Sequence, residues 1–365
     1  MSEWQTFCLK DLGKIVGGAT PSTNNPKNYG NKIAWITPKD LSTLQGRYIK
    51  KGSRSISRLG FKSCSCALLP KHAILFSSRA PIGYVAIAEK RLCTNQGFKS
   101  IIPNKKIYFE FLYYLLKYHK DNISNIGGGT TFKEVSGATL GLFEVKIPPT
   151  YYEQQKIART LSILDQKIEN NHKINELLHT LAYKIYEYYF KYKPKNAKLE
   201  QIIIENPKSS IMVKNAQKTQ DKYPFFTSGD NILSYPKAII DGRNCFLNTG
   251  GNAGIKFYVG KASYSTDTWC ICANEFSDYL YLLLSSIKNH INQSFFQGTS
   301  LKHLQKNLLK KYPIYMPSAH EIKKFNQIIM PLLTLISINT RTSKKLEQIR
   351  DFLLPLLLKQ QVKPQ

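Results

Sequence analysis

The chain has 365 residues, enough for two or three domains of roughly 100–200 residues each. Apolar residues make up 42% of the chain, which is enough for each domain to bury a core of its own. Lysine and arginine number 52 against 24 aspartates and glutamates, and the resulting net charge of +28 favours polyanionic partners, since basic side chains on phosphates release bound counterions.

The basic residues fall in two blocks along the sequence. Residues 1–150 hold 22 basic and 8 acidic residues, and residues 191–318 hold 17 and 8. Residues 151–190 hold five of each, and residues 319–365 hold 8 basic and 3 acidic residues. This alternation predicts two polyanion-binding domains at 1–150 and 191–318, and two spacer helices at 151–190 and 319–365.

An internal repeat relates the two halves of the chain. Gly129–Lys133 (GTTFK) returns as Gly298–Lys302 (GTSLK), and Val145–Pro148 (VKIP) returns as Ile314–Pro317 (IYMP). In each half, a basic block is followed by a Gly-Thr loop, a strand that ends in proline, and a helix.

Both predicted helices begin with a capping box, formed by Thr150 with Glu153 and by Ser318 with Glu321. Beyond the caps, apolar residues recur at alternating steps of four and three, beginning at Ile157 in the first helix and at Phe325 in the second. A seam of this spacing predicts a coiled coil. Ordinary amphipathic helices docked on separate domains are the alternative.

Polar residues interrupt both seams in the same heptad, at Asn171 and Asn175 and at Asn339 and Ser343. Such residues lower stability but fix the register of a coiled coil. Matched seams in one chain predict that the two helices pack on each other. If they run antiparallel, the chain acquires an approximate two-fold axis with one globular block at each end.

Two prolines lie within the second predicted helix. Pro331 is expected to kink it and Pro355 to disturb its end, because proline lacks the backbone N–H. The predicted fold class is therefore α+β, with two mixed domains joined by two long antiparallel coiled-coil helices.

The seven cysteines form no CxxC pair, and we expect buried free thiols in a reducing cytosol, with a zinc site as the alternative. Cys64 with Cys66, and Cys270 with Cys272, have the spacing of one face of a strand. The first residues lack the apolar region of a signal peptide, and the longest apolar stretch, Ile328–Ile338, is too short for a membrane span. These features predict a cytoplasmic protein.

Short motifs run through the first half of the chain in a fixed order: Leu12–Ile15 (LGKI), Gly18–Ser22 (GATPS), Ile33–Asp40 (IAWITPKD), Ser78–Gly83 (SRAPIG), Thr94–Phe98 (TNQGF), Gly129–Lys133 (GTTFK), Ile147–Pro149 (IPP), Glu153–Ala158 (EQQKIA) and Leu164–Glu169 (LDQKIE). Together they resemble the specificity subunit of type I restriction-modification enzymes. The resemblance covers essentially the whole chain.

This resemblance implies two target-recognition domains, each of which recognises one half of a split site in double-stranded DNA. It implies that two helical regions separate these domains and bind two modification (methyltransferase) subunits, and that restriction (motor-nuclease) subunits complete the enzyme. S-adenosylmethionine and ATP are then expected on those partners. This chain itself is expected to hold no cofactor, no metal and no catalytic residue.

The sequence contains no Asn-Pro-Pro-aromatic methyltransferase motif and no strand-linked GxGxxG. Gly250–Lys256 resembles a phosphate-binding loop only faintly, because its spacing departs from GxxxxGK. Two functions of other classes remain as alternatives. One is a self-sufficient DNA methyltransferase or nuclease, and the other is a DNA-binding regulator that works without partners.

Polar side chains in the motifs are the candidate DNA contacts. Arginine favours guanine O6 and N7, asparagine and glutamine favour adenine, and serine, threonine and lysine more often hold phosphates. Arg79 is notable because the chain has 9 arginines against 43 lysines, although a surface salt bridge is its alternative role. The predicted contacts are Thr20, Ser22, Lys39, Arg79, Asn95, Gln96, Thr130, Thr131 and Lys133 in the first half, and Asn248, Asn252, Lys256, Thr299, Ser300 and Lys302 in the second.

The second half departs from the motifs of the first. Asn248–Gly254 stands where the first half has Ser77–Gly83, and Thr266–Trp269 stands where Asn95–Gly97 would fall. Such divergence is expected if the two domains recognise different half-sites.

Aromatic residues cluster in three runs. Phe109–Tyr118 and Tyr279–Leu284 predict core helices packed on a sheet, with a base-stacking platform as the alternative. The run Tyr183–Tyr192 is compatible with packing at the end of the helix or with a surface that docks a modification subunit.

Overall fold

The computed structural model describes residues 3–129, 133–216 and 222–364, and it shows mixed helices and strands. Contacts divide the chain into two compact units. Unit 1 comprises residues 1–170 and 343–365, and unit 2 comprises residues 171–342. Each long helix therefore contributes one part to each unit, whereas the sequence-based division places each helix in a segment of its own.

Unit 1 contains a five-stranded sheet in the order β2-β9-β6-β7-β4, a three-stranded sheet in the order β5-β3-β8, and the pair β1-β10. Its strands are β1 (Gln5–Cys8), β2 (Gly13–Gly17), β3 (Tyr29–Ile36), β4 (Tyr48–Ile49), β5 (Arg54–Ile56), β6 (Ile74–Ser78), β7 (Ile82–Ala88), β8 (Cys93–Thr94), β9 (Lys99–Pro103) and β10 (Glu144–Ile147). Its helices are α1 (Leu9–Leu12), α2 (Pro38–Ser42), α3 (Arg58–Lys62), α4 (Phe109–Asn125), α5 (Gly137–Gly141) and the first part of α6 (Tyr151–Tyr186).

Helix α4 forms the centre of the core of unit 1. Phe111 and Leu112 are fully buried in one cluster with Ile74 and Ile101 of the large sheet. The prediction of a core helix packed on a sheet is thus confirmed for this aromatic run. Tyr114 is also buried, so this part of the run is not a base-stacking platform, because a ring inside the core has no free face for a base.

Unit 2 contains a four-stranded sheet in the order β12-β18-β15-β16, a three-stranded sheet in the order β14-β13-β17, and the pairs β11-β21 and β19-β20. Its strands are β11 (Ala197–Lys198), β12 (Ile204–Glu205), β13 (Tyr223–Phe226), β14 (Leu233–Tyr235), β15 (Arg243–Asn248), β16 (Ile255–Val259), β17 (Ser263–Tyr264), β18 (Thr268–Cys272), β19 (Phe296–Gln297), β20 (His303–Leu304) and β21 (Pro313–Ile314). Its helices are the second part of α6, α7 (Ser277–Ser286), α8 (Lys288–Ser294), α9 (Lys306–Lys310) and the first part of α10 (Ala319–Leu358), whose end belongs to unit 1.

The second aromatic run is also part of a core. Tyr279, Leu280 and Leu284 of α7 are buried in one cluster with Cys245 of β15. The helix prediction is therefore confirmed for this run as well.

The internal repeat extends to the pairing of strands. β1 pairs antiparallel with β10 in unit 1, and β11 pairs antiparallel with β21 in unit 2. Next to these pairs, the amide of Leu9 donates to the carbonyl of Phe143 over 3.0 Å, and that of Leu199 donates to Tyr312 over 2.9 Å. The two halves thus share elements and register, as the sequence repeat predicts.

Both long helices begin with the predicted cap residues, and at Ser318 the capping box is complete, since the amide of Ser318 donates to Glu321 Oε2 over 2.9 Å. The amide of Glu153 donates to Thr150 Oγ1 over 3.2 Å, and the amide of Glu321 donates to Ser318 Oγ over 3.3 Å. The hydroxyls of Thr150 and Ser318 donate back to the respective carboxylates. A turn with π-helical bonding, Glu187–Lys191, follows α6.

The helices pack antiparallel within each unit. In unit 2, Asn339 Nδ2 donates to Asn175 Oδ1 over 2.9 Å, and the rings of Tyr189 and Phe325 are 6.0 Å apart. In unit 1, residues 157–161 of the first helix share a core cluster with residues 354–358 of the second. Higher residue numbers on one helix meet lower numbers on the other, so the predicted antiparallel pairing is confirmed.

The two prolines do not interrupt the second helix. α10 continues through Pro331 and Pro355 to Leu358, and the carbonyl of Pro355 accepts a hydrogen bond from the amide of Lys359. The helix ends three residues after Pro355, and the expectation that Pro355 disturbs the helix end stays a prediction. Pro331 and Gln327 are both exposed, so the carbonyl that lacks its helical partner is on a solvent-facing side of the helix.

All seven cysteines are free thiols. Cys270 and Cys272 lie on β18, as their spacing predicts, but Cys64 and Cys66 follow the short helix α3 and belong to no strand. Among residues 3–129, 133–216 and 222–364, no group of three histidine, cysteine, aspartate or glutamate side chains is placed to hold a metal ion. In the same ranges, no helix is both long and apolar enough to cross a bilayer.

Candidate nucleic-acid interface

Loops that follow separate elements of unit 1 are joined by backbone hydrogen bonds. The amide of Ala19 donates to Thr94, and that of Ser78 donates to Gly97, over 3.0 and 2.8 Å. The amide of Val135 in turn donates to Ser78 over 3.0 Å. These bonds bring together the loops that carry the candidate contacts of the first half.

Thr20 and Gln96 are in direct contact, because the hydroxyl of Thr20 donates to Gln96 Oε1. Gln96 is exposed, whereas Asn95 is half-buried and its Oδ1 accepts a hydrogen bond from the amide of Gly97 over 3.0 Å. Asn95 therefore shapes the loop through its carbonyl oxygen, while Gln96 presents a polar side chain at the surface.

Lys39 lies in α2 and its side chain is exposed. Asp40 fixes this helix, since its Oδ2 accepts from the amide and the hydroxyl of Thr37, both over 2.7 Å, and its Oδ1 accepts from the amide of Ser53 over 2.7 Å. Burial acts to raise the pKa of Asp40, but these hydrogen bonds outweigh it and hold the pKa below its usual value. Ser22 is exposed, and its carbonyl accepts from Asn28 Nδ2.

Arg79 is held by an ion pair. Its Nη1 lies 3.2 Å from Glu134 Oε2, and the other oxygen of Glu134 lies 3.2 Å from Lys99 Nζ. The salt bridge considered for Arg79 is thus present. Lys133, next to Glu134, is exposed, whereas the candidates Thr130 and Thr131 lie outside the described residues.

Unit 2 repeats the same hydrogen bonds between its loops. The amide of Thr249 donates to Asp267 over 3.3 Å, and the amide of Leu304 donates to Thr249 over 3.0 Å. The amide of Ser265 donates to Phe226 over 2.9 Å. Each of these bonds has an equivalent in unit 1. In the same order, the equivalents run from Ser78 to Gly97, from Val135 to Ser78 and from Asn95 to Ile36.

The second set of candidates divides into exposed and internal side chains. Asn252, Thr299, Ser300 and Lys302 are exposed. Two backbone contacts, from Gly251 to Lys302 and between Gly250 and His303, join the two loops that carry them.

Asn248 is buried and Lys256 is half-buried in unit 2. Lys256 Nζ donates to Asn248 Oδ1 over 3.0 Å and to the carbonyl of Thr227 over 2.8 Å, and Asn248 Nδ2 donates to the carbonyl of Asn252 over 3.1 Å. Burial lowers the pKa of Lys256. These two side chains hold the loop between β15 and β16 through internal hydrogen bonds. Their assignment as DNA contacts stays a prediction.

Gly250–Lys256 connects two antiparallel strands, β15 and β16. A phosphate-binding loop joins a strand to a helix, whose N-terminal amides face the phosphate. The faint likeness of this segment to such a loop is therefore not accompanied by the required context.

One exposed residue was missed by the sequence analysis. Thr266 follows Ser265, as Gln96 follows Asn95, and its amide donates to the carbonyl of Ile211 over 3.0 Å. The signal that identifies it is the matching hydrogen-bond register of the loops, since the residues themselves differ between the halves.

The family model described as Type I restriction modification DNA specificity domain matches residues 1–180 and again residues 195–348. The Type I restriction enzyme MjaIX specificity subunit of Methanocaldococcus jannaschii is 33% identical over 403 aligned positions, which cover 98% of this chain and 93% of that protein.

Two further relatives agree with this result. The Type I restriction enzyme HindI specificity subunit of Haemophilus influenzae is 31% identical over 177 positions, covering 46% of this chain and 37% of that protein. The crystal structure of the type I restriction-modification S subunit from M. genitalium matches with a TM-score of 0.62 at 18% identity, covering 98% of this chain and 96% of that chain. The structural likeness supports the two-domain fold.

Proposed function

Because the chain belongs to the type I restriction-modification DNA specificity family, we propose that it is the non-catalytic subunit that selects a bipartite site in double-stranded DNA. The observation that carries this proposal is the repeated loop scaffold. The same backbone hydrogen bonds join the loops of both units, but the exposed side chains on them differ. Two similar scaffolds with different polar residues suit two half-sites of different sequence.

Charge supports DNA as the ligand. Each globular block carries a large basic excess, which supplies sequence-independent affinity for phosphates and a steep dependence on salt. Side chains such as Gln96, Thr266 and Asn252 then supply the contacts that distinguish one base pair from another.

We propose that the long helices bind two modification subunits. On both helices, residues that come directly after a seam residue are buried within their own unit. Examples are Ala158 on α6 and Leu333 and Leu354 on α10. A second apolar side is exposed on both helices, and it occupies positions directly before the seam residues. We call it the outer face of each unit. In unit 1 it consists of Ile163 on α6 and of Ile349 and Phe352 on α10, and in unit 2 of Ile174, Leu177 and Leu181 on α6 and of Ile328, Leu335 and Ile338 on α10.

The outer face favours a helical partner with acidic flanks. Leu177 is 70% exposed and Phe352 is 68% exposed, although both are large apolar side chains on ordered helices. Spacing of three and four along each helix suits another helix packed alongside. The exposed lysines Lys167 and Lys345 occupy positions of the same stripe and Lys173 lies beside it, so acidic side chains on the partner would complement the face.

The remaining parts of the complex follow from this role. We propose that the modification subunits bind S-adenosylmethionine and transfer the methyl group, and that restriction subunits hydrolyse ATP and cleave DNA. This chain then contributes neither cofactor nor catalytic group, and it acts in the cytoplasm, where its DNA is.

The test is to co-express the chain with its modification subunit and to map methylated bases across the host genome. We expect methylation at a split motif with a fixed gap, which disappears when this chain is omitted. Methylation by the purified chain alone, with bound S-adenosylmethionine, would instead support a self-sufficient methyltransferase.

A further inference from the structure

Arg79 and Glu134 form an ion pair at the loop surface of unit 1. Nη1 and Oε2 are 3.2 Å apart, and the side chains are 35% and 32% exposed. Arg79 follows β6, whereas Glu134 comes from the loop after α4, so the pair joins two separate loops.

Glu134 is itself held at several points. Its amide donates to the carbonyl of Gly128 over 2.9 Å, and its carbonyl accepts from the amide of Gly128 over 3.0 Å. Its second carboxylate oxygen lies 3.2 Å from Lys99 Nζ. A carboxylate fixed by its backbone and by a second cation restricts the orientations that the Arg79 guanidinium adopts.

The ion pair engages one nitrogen of a guanidinium that has five N–H donors. Guanine is recognised when two such donors meet O6 and N7 in the major groove. We propose that Arg79 recognises a guanine in the first half-site and that Glu134 is the positioning residue that orients it. This inference rests on the proposed DNA-recognition function and specifies its chemistry at one base pair.

Unit 2 has no equivalent pair at the matching positions. Ser78 corresponds to Thr249 and Val135 to Leu304 in the hydrogen-bond register, so Arg79 corresponds to Gly250 and Glu134 to His303. The arginine contact with guanine is therefore confined to the first half-site, and the two halves differ in chemistry at the same place in the scaffold.

A merely structural role for the pair predicts a different outcome. An ion pair about one-third exposed contributes little to stability, so its removal should not unfold the unit. If Glu134 positions Arg79 for a base, its removal instead changes which base pair is preferred at one position. The preferred base is thus the readout that separates positioning from structural support.

The experiment compares Arg79→Lys, Glu134→Gln and the control His303→Gln in the full chain co-expressed with its modification subunit. Binding is measured to duplexes that differ by single base pairs across the target site. We expect the first two variants to lose about tenfold or more of the discrimination in favour of guanine at one first-half position. In these two variants, preference across the second half and affinity for unrelated DNA should be unchanged, and the control should keep the preference for guanine at the first-half position.

Three results would overturn the inference. They are unchanged base preferences in Arg79→Lys, an equal loss of affinity for every duplex in Glu134→Gln, and the same change of preference in His303→Gln. Thermal unfolding of each variant shows whether it folds. Failure of the unsubstituted complex to prefer any sequence would instead contradict the proposed function itself, and so the two failures are distinguishable.

Discussion

Asp165 and Arg350 form an ion pair between the two long helices within unit 1, with 2.7 Å between Oδ1 and Nη1. The hydroxyl of Tyr114 donates to the other oxygen of Asp165 over 2.6 Å. One buried carboxylate therefore joins α4 of the globular part to both α6 and α10. The position of the helices on unit 1 depends on this polar cluster as well as on apolar packing.

Replacing Arg350 with methionine should destabilise unit 1. Asp165 would lose its nearest cation and keep only Arg47, whose Nε lies 4.0 Å from Oδ2, so the free energy of unfolding should fall by about 1–3 kcal/mol. Denaturant titration measures this change. The double variant Asp165→Asn, Arg350→Met should lose less than the single variant, because the buried carboxylate charge that Arg350 offsets is gone. Equal losses in the two variants would contradict the coupling of these side chains.

The polar heptad of the seam provides a second prediction. Asn339 Nδ2 donates to Asn175 Oδ1 over 2.9 Å, so Asn175→Leu leaves an amide in the seam without its acceptor. The free energy of unfolding should fall by about 1–3 kcal/mol. Asn175→Leu with Asn339→Leu should recover this loss, since two leucines suit an apolar seam. A double variant as unstable as the single one would show that the pair is not what couples the two positions.

The hydrogen bonds of Asp40 provide a prediction about pH. They hold its pKa in the folded chain below the unfolded value, so the ionised carboxylate stabilises the fold near neutral pH. This contribution is present above the unfolded pKa of about 4 and is lost as pH falls through the folded pKa. We expect Asp40→Asn to lower the free energy of unfolding at pH 7 by about 1–2 kcal/mol.

The difference between Asp40→Asn and the unsubstituted chain should shrink as acid is added. Denaturant titrations at several pH values below about 5 measure it. The control Asp121→Asn alters an exposed aspartate and should change stability little at pH 7. A difference for Asp40→Asn that stays constant down to acid unfolding would show that ionisation of Asp40 does not contribute.

The outer face predicts which substitutions separate the subunits. Leu177→Glu places a charge at the most exposed leucine of the face on α6 and should weaken co-purification with the modification subunit at least about tenfold. Thr180→Glu, on the same helix but outside the outer face, adds the same charge and should leave the complex intact. Loss of the complex in both variants, or in neither, would contradict this location of the interface.

Periodicity and caps could be predicted from the sequence because they depend on neighbours along the chain. The helices are identified by apolar residues at steps of three and four and by the caps at Thr150 and Ser318. The polar heptad identifies their pairing. The ion pair of Asp165 with Arg350 could not be predicted, since Arg350 simply occupied a seam position and its partner lies 185 residues away.

The candidate interface was predicted less completely. Polar motif residues such as Thr20 and Gln96 do meet, but the role of Lys256 depends on strand register. Lys256 pairs with Phe246 on adjacent strands, where unit 1 has buried Ala86 opposite Leu75, so the lysine points to the interior. The sequence alignment places Thr266 opposite Asn95 and leaves it out of the predicted contacts, whereas the backbone hydrogen bonds shift the correspondence by one residue, so that Thr266 matches Gln96.

The central claim is that each globular block selects one half of a bipartite site. The direct test replaces residues 1–150 with the first domain of another family member and maps methylated bases in cells that contain the modification subunit. We predict a new motif that differs from the original in one half and retains the other half. A motif changed in both halves, or unchanged in both, would contradict the claim.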